Sequence, residues 1–153
     1  MTALFDAYPI EPADVELEIT ETYLETKDSR LLDNLHSLKA LGVRLALDDF
    51  GTGYTGFSQL ASYPVDIIKI DRSFTQEINV DVSNRRLTVD IIVELARLYE
   101  LTIVAEGVED LQQLEYIQDL GVECVQGFYL SRPLTYEDFS KLVTQKNAED
   151  NYQ

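Results

Sequence analysis

The sequence predicts an α/β fold built on a parallel sheet, and three observations carry that prediction. Short aliphatic or β-branched runs alternate with helical stretches roughly every 30 residues, the length of a strand, helix, strand unit. The runs are nearly continuous in apolar character, as befits strands covered on both faces. The intervening stretches space their apolar residues by three and four, as an amphipathic helix must.

The first strand is expected at residues 15–20 (VELEIT), followed by a helix with Leu31, Leu32, Leu35, Leu38 and Leu41 ending at Gly42. Strands at 43–48 and 65–70 come next. A helix then carries Leu87, Ile91, Ile92, Leu95 and Leu98, and a fourth strand follows at 102–105. Leu111, Leu114, Ile117 and Leu120 define a helix stopped by Gly121, where glycine suits a left-handed C-cap. A fifth strand is expected at 122–126. The period by itself does not separate an open sheet from a closed barrel. Residues 1–144 read as one domain and 145–153 as a frayed polar tail, with no linker or low-complexity segment inside.

Composition bounds the function. The chain has 153 residues, 45% of them hydrophobic and 26% charged, a globular profile. Twelve Lys plus Arg stand against 28 Asp plus Glu, a net charge of −16, which repels phosphate backbones and anionic membranes. DNA or RNA binding is therefore not expected, and a nucleotide ligand needs a metal ion or a locally placed base. No apolar run approaches the roughly 18–20 residues of a membrane span and no signal segment opens the chain, so a cytoplasmic location is expected. The lone cysteine, Cys124, sits in an apolar run and is expected to be buried. It excludes an intrachain disulfide and a multi-thiolate metal site. His36 falls mid-helix without a second histidine.

The charged residues mark the carboxyl ends of the strands. Glu18 and Glu21 lie at the end of the first, Asp48 and Asp49 at the second, Lys69 and Asp71 at the third, Glu106 and Glu109 at the fourth, and Gln126 at the fifth. In parallel β/α folds that edge binds ligands. Asp110 and Asp28 are expected merely to cap helices. Asp48 and Glu106 follow buried apolar triplets, where carboxylates would repel one another unless cations neutralise them. Oxygen donors without histidine or cysteine favour Mg²⁺ or Mn²⁺ over zinc. An adjacent pair such as Asp48-Asp49 can share two ions about 3.5–4 Å apart, the arrangement used in phosphoryl displacement. Lys69, read as the one cation on this rim, would face a phosphate oxygen or the attacking water, or else form an ordinary salt bridge to Asp49 or Asp71.

Gly51-Thr52-Gly53-Tyr54-Thr55-Gly56 also fits the G-x-G-x-x-G pattern of dinucleotide sites. Two acids immediately before it would oppose a pyrophosphate, and the helix expected after it, 57–62, is short. A mobile loop carrying a metal site is the better reading, and a Rossmann oxidoreductase ranks last.

Glu18-Ile19-Thr20-Glu21, Asp48-Asp49-Phe50-Gly51-Thr52-Gly53-Tyr54, Lys69-Ile70-Asp71, Ala105-Glu106-Gly107-Val108-Glu109 and Gln126-Gly127-Phe128, in this order and spacing, resemble the EAL-domain cyclic di-GMP phosphodiesterases of bacteria. The resemblance spans residues 6–143. It implies a (β/α)₈ TIM barrel that cuts cyclic di-GMP to linear pGpG with Mg²⁺ or Mn²⁺. By position, Glu18 and Asp48 are similar to ligands of a first metal, and Asp48 and Asp49 to ligands of a second. Glu106 resembles the general base or a second-metal ligand, and Lys69 the lysine that steadies water or phosphate. Glu109, Gln126 and Asp71 correspond to residues lining the site, and Glu21 to the acid anchoring the glycine loop, which links dimer contact to metal binding. Where the family usually has a serine pair after the tyrosine, this chain has Thr55-Gly56.

The resemblance also implies a shortfall. In the family three further strands precede these five and supply the Glu-Ala-Leu glutamate and an asparagine, both first-metal ligands. The expected fold is thus a partial barrel, the five C-terminal β/α units of eight, holding one ion or none instead of two. An exposed parallel edge at 15–20 invites self-association, or covering by a partner or an upstream segment. The alternative to catalysis is a non-catalytic cyclic di-GMP-binding or dimerisation module that regulates a complete phosphodiesterase.

Overall fold

Five short strands pair edge to edge in chain order, all parallel: β1 (Glu16–Thr20), β2 (Arg44–Phe50), β3 (Ile67–Ile70), β4 (Thr102–Ala105) and β5 (Cys124–Val125). The computed structural model describes residues 2–24, 30–52, 60–79 and 83–150. Strictly sequential order, with no reversal, is how a β/α barrel wall is laid down; a doubly wound dinucleotide sheet reverses at its switch point. The topology thereby supplies what the period could not, and it argues against the Rossmann alternative. Gly53, Tyr54, Thr55 and Gly56, the expected helix start at Phe57, and Asp28 lie outside the described residues.

The helices are α1 (Thr2–Ala7), α2 (Glu21–Leu24), α3 (Leu31–Ala40), α4 (Arg72–Gln76), α5 (Ser83–Leu98), α6 (Leu111–Asp119) and α7 (Tyr136–Asp150), with a 3₁₀ turn at Pro12–Asp14. Asp110 caps α6 in a full capping box with Gln113, as expected of it. Gly121 follows at φ +72, a conformation that opposes side chains and ends the helix.

Side chains alternate across a strand, and here the alternation separates packing from chemistry. One face presents Ile19, Leu45, Leu47, Ile68, Ile70, Ile103 and Ala105 to Leu31 and Leu35 of α3, Val89, Ile92, Val93 and Ala96 of α5, and Ile117 of α6. Each large aliphatic side chain buried there contributes about 1.5–3 kcal/mol. The other face carries Glu18, Asp48, Lys69, Glu106 and Cys124.

Two expectations are corrected. Cys124 is exposed, because it pairs with Val104 on the face of the sheet that the helices do not cover. In α5 the expected stripe is split: Ile92 is buried, but Leu87, Ile91 and Leu98 face outward at 53%, 46% and 76% exposure, and Val89, Val93 and Ala96 take the inner positions. An α-helix advances by 3.6 residues per turn, so two apolar stripes compete, and contact with β3 and β4 selects one. α7 runs to Asp150.

Candidate functional site

Lys69 is the centre of the charged face. Its neighbours Ile68 and Ile70 are fully buried against the helices, so its own side chain must project to the opposite side of β3, where it is only 6% exposed. Its ammonium lies 2.5 Å from Glu18 Oε1, 2.6 Å from Glu106 Oε1 and 3.1 Å from Asp48 Oδ1. Burial works against its charge, but the contacts with Glu106, Glu18 and Asp48 outweigh that and raise its pKa well above the ordinary lysine value. The salt bridges run to these three acids and not, as the simpler expectation had it, to Asp49 or Asp71.

Register makes this meeting possible. Glu18 pairs with Ala46, Thr20 with Asp48, and Lys69 with Val104, while Glu106 follows β4 with its amide bonded to Ile70 O at 3.1 Å. Glu18 thus lies two residues below the level of Asp48, and Glu106 two residues above that of Lys69, and the long Glu and Lys side chains close the stagger. Asp48 Oδ1 is buried, and although it stands at ion-pair distance from the ammonium it has no hydrogen bond. The neighbouring ammonium offsets its charge, while its lone pairs lack a donor in good geometry.

Asp49 stands slightly apart. It adopts φ +56 at the irregularity between Leu47 and Phe50, after which Phe50 still pairs with Ile70 and the strand ends at the glycine loop. Burial, then the charges of Asp48, Asp71 and Glu18, hold its pKa above the usual carboxylate value, with Lys69 pulling the other way. Glu21, only 2% exposed, accepts a hydrogen bond from Gly51 N at 3.1 Å and so anchors the first residue of that loop.

The donor set is carboxylate oxygen throughout, and with the unsatisfied Asp48 Oδ1 it fits a hard divalent ion in chemistry. Among the described residues no three such groups are drawn into a closed metal cage. The oxygens are spread around an ammonium instead.

Beside Glu106 opens a cavity of about 490 Å³, lined among others by Arg72, Glu109, Gln126, Phe128 and Arg132. Glu109 and Gln126 are therefore brought to the site. Glu109 Oε1 accepts from Gln76 Nε2 at 3.2 Å. Asp71 is committed elsewhere: it caps α4, accepting from Ser73 N at 2.9 Å. The cavity corrects the view of Lys69 as the one cation on the rim, because Arg72 and Arg132 both line it. The Arg132 guanidinium sits 4.9 Å above the Phe128 ring, a cation–π pair that holds it in place.

Sequence reasoning missed those arginines because one follows Asp71 inside a helix start and the other lies in a segment without periodicity. It also missed Thr75, a fully buried hydroxyl that donates to the Glu106 carbonyl. A lone polar residue at an inward position of α4 was the available signal. Gly127 lets the β5 end press against Val108, and Gly107, at φ +68, lies against Arg72. Both explain why glycine follows Glu106 and Gln126.

A family model described as the EAL domain matches residues 1–133. The chain is 39% identical over 141 residues to the probable cyclic di-GMP phosphodiesterase PdeG of Escherichia coli (strain K12), covering 92% of this chain and 28% of that protein. It is 45% identical over 139 residues to an uncharacterized signaling protein of Caulobacter vibrioides, covering 88% of this chain and 17% of that protein. Its fold superposes on the PaMucR phosphodiesterase in complex with c-di-GMP with a TM-score of 0.84 at 38% identity, over 90% of this chain and 56% of that one. Against the manganese and c-di-GMP complex of Klebsiella pneumoniae BlrP1 the TM-score is 0.79 at 35% identity, over 86% of this chain and 34% of that one. The chain thus spans less than a third of these two curated relatives and about half of the PaMucR chain. The five-stranded sheet is accordingly part of a (β/α)₈ barrel, and divalent metal is used in the family. The matching motifs, the barrel topology and these likenesses agree: the chain belongs to the EAL domain family.

Proposed function

We propose that this chain carries the larger part of a divalent-metal site for hydrolysis of cyclic di-GMP to linear pGpG. The observation that supports it most is the convergence of Glu18, Asp48 and Glu106 at one point on the carboxyl edge of the sheet. Glu18, Asp48, Asp49 and Glu106 would hold Mg²⁺ or Mn²⁺, one ion with these residues alone. A bound ion there would supply Lewis-acid polarisation of the phosphodiester.

Glu106 stands between the carboxylate cluster and the cavity, where it can take a proton from the attacking water as the bond from phosphorus to the ribose 3′ oxygen breaks. Lys69 would then face the phosphate or that water. Arg72 and Arg132 offset the negative charge of a dinucleotide in the adjoining cavity, and Glu109 and Gln126 line it. Asp71 contributes by fixing the start of α4, on which Arg72 sits.

Turnover by these 153 residues alone is expected to be slow, because the family resemblance implies two further first-metal ligands, a glutamate and an asparagine, on strands outside these five. Chromatography of cyclic di-GMP incubated with the chain and Mn²⁺ tests this. Robust pGpG formation by the isolated chain would refute the need for further ligands, and its loss in Glu106→Gln would place the chemistry. The formed cavity also favours a second reading, a cyclic di-GMP-binding module without catalysis, which calorimetric binding without hydrolysis would support. The edge of β1, which pairs only with β2 in the described sheet, is proposed to be covered by another chain or segment. Sedimentation that reveals only monomer at tens of micromolar would count against self-association.

A further inference from the structure

We propose that Lys69 is an internal competitor for divalent metal, occupying the point where Glu18, Asp48 and Glu106 converge and withdrawing when an ion enters. The inference rests on the metal reading above and concerns how the site is loaded. The ammonium touches all three carboxylates at 2.5–3.1 Å, and it is shielded to 6% exposure. A Mg²⁺ ion lies about 2.0–2.1 Å from its oxygen ligands. Ion and ammonium therefore claim overlapping space among the same oxygens, and two like charges cannot both stand there.

The direction of the exchange follows from charge. Three carboxylates leave the cluster at −2 with the ammonium in place and at −1 with a divalent ion instead, so the ion neutralises more of the charge than Lys69 does. The lysine stem is flexible, and the strand that bears it is fixed on its other face by Ile68 and Ile70. The displaced ammonium accordingly moves within the rim and becomes available to an anionic substrate. Metal entry and deployment of the lysine become one event, and linkage requires each to oppose or favour the other equally. Arg72 provides the contrast: it is a cation on the same rim, lining the cavity, without an ion pair to these acids among the described residues.

Calorimetric titration with Mn²⁺ of the unmodified chain, Lys69→Met and Arg72→Met tests the proposal. Removing a competitor should tighten binding about tenfold or more in Lys69→Met. Removing a rim charge should change it at most about threefold in Arg72→Met. Equal gains in the two variants would reduce the effect to charge repulsion at a distance and overturn the proposal, as would unchanged or weaker binding in Lys69→Met. If neither the unmodified chain nor Lys69→Met binds Mn²⁺, the metal reading itself fails and this inference with it. Should Lys69→Met not fold, amine labelling of the unmodified chain decides. Lys69 should be protected without metal and labelled on Mn²⁺ addition, with Lys39 and Lys141 as references. Protection that persists at saturating Mn²⁺ would overturn displacement.

Discussion

Replacing Gly127 by alanine places a methyl group where the structure has no room. A Cβ built there would stand 2.0 Å from Val108 O, 2.4 Å from Val108 N and 2.6 Å from Val108 C. These are backbone atoms, so no side chain can turn aside. The β5 end must separate from the segment after β4, straining two hydrogen bonds, Val108 N to Gln126 O at 3.2 Å and Tyr129 N to Val108 O at 3.0 Å. Overpacking costs about 1–3 kcal/mol and each of the two weakened bonds about 1 kcal/mol, so about 3–5 kcal/mol is expected in all. For a chain of this size that lowers Tm by about 6–20 °C. Thermal and urea unfolding followed by circular dichroism measure it, with Gly42→Ala as the control. Gly42 also has positive φ, +93, but its added Cβ would meet only Pro12 Cβ, at 3.5 Å. Only backbone strain of about 1–2 kcal/mol is expected there. A loss in Gly127→Ala no larger than in Gly42→Ala would refute the argument from close approach.

Three further outcomes are expected. Thr75→Val, nearly isosteric, removes the hydroxyl that holds the Glu106 carbonyl and should cost about 1–2 kcal/mol in urea unfolding, whereas a change within error would deny the contact any weight. At Asp71 burial raises the carboxyl pKa, but hydrogen bonds from Ser73 and the neighbouring Arg72 outweigh it and hold it below the usual value. Its stabilisation is complete above the unfolded-state pKa and is lost as pH falls through the lower folded value, so Asp71→Asn should flatten the acid limb of the stability profile. An unchanged limb would contradict this. Burial and then the bond to Asp90, 2.6 Å from its hydroxyl, push Tyr116 up to about 12. The folded state therefore keeps a proton that the unfolded chain loses, and stability should fall from about pH 10 to pH 12. Tyr116→Phe should remove that decline, and the ultraviolet titration of tyrosinate should lose its latest component.

The alternation of short apolar runs with helical spacing named every strand of the sheet, with boundaries off by one or two residues, because where a strand ends is set by pairing with its neighbour, which propensity does not encode. It also singled out Asp48 and Glu106, because an acid directly after a buried aliphatic run is conspicuous in one dimension, and Glu18 by its place near the end of the first strand. It could not name Thr75, Arg72 or Arg132, whose roles depend on what they touch. The same limit accounts for Cys124 and for the outward Leu87, Ile91 and Leu98: apolar character is a property of the residue, whereas coverage is a property of the packed neighbour.

By itself, then, the sequence determined the fold class, because the periods of strand and helix are local consequences of backbone geometry. The tertiary structure decided that Lys69, rather than open space, stands among the three acids. That arrangement depends on which residues of adjacent strands lie level, and level is set by hydrogen bonds between strands that are far apart in the chain.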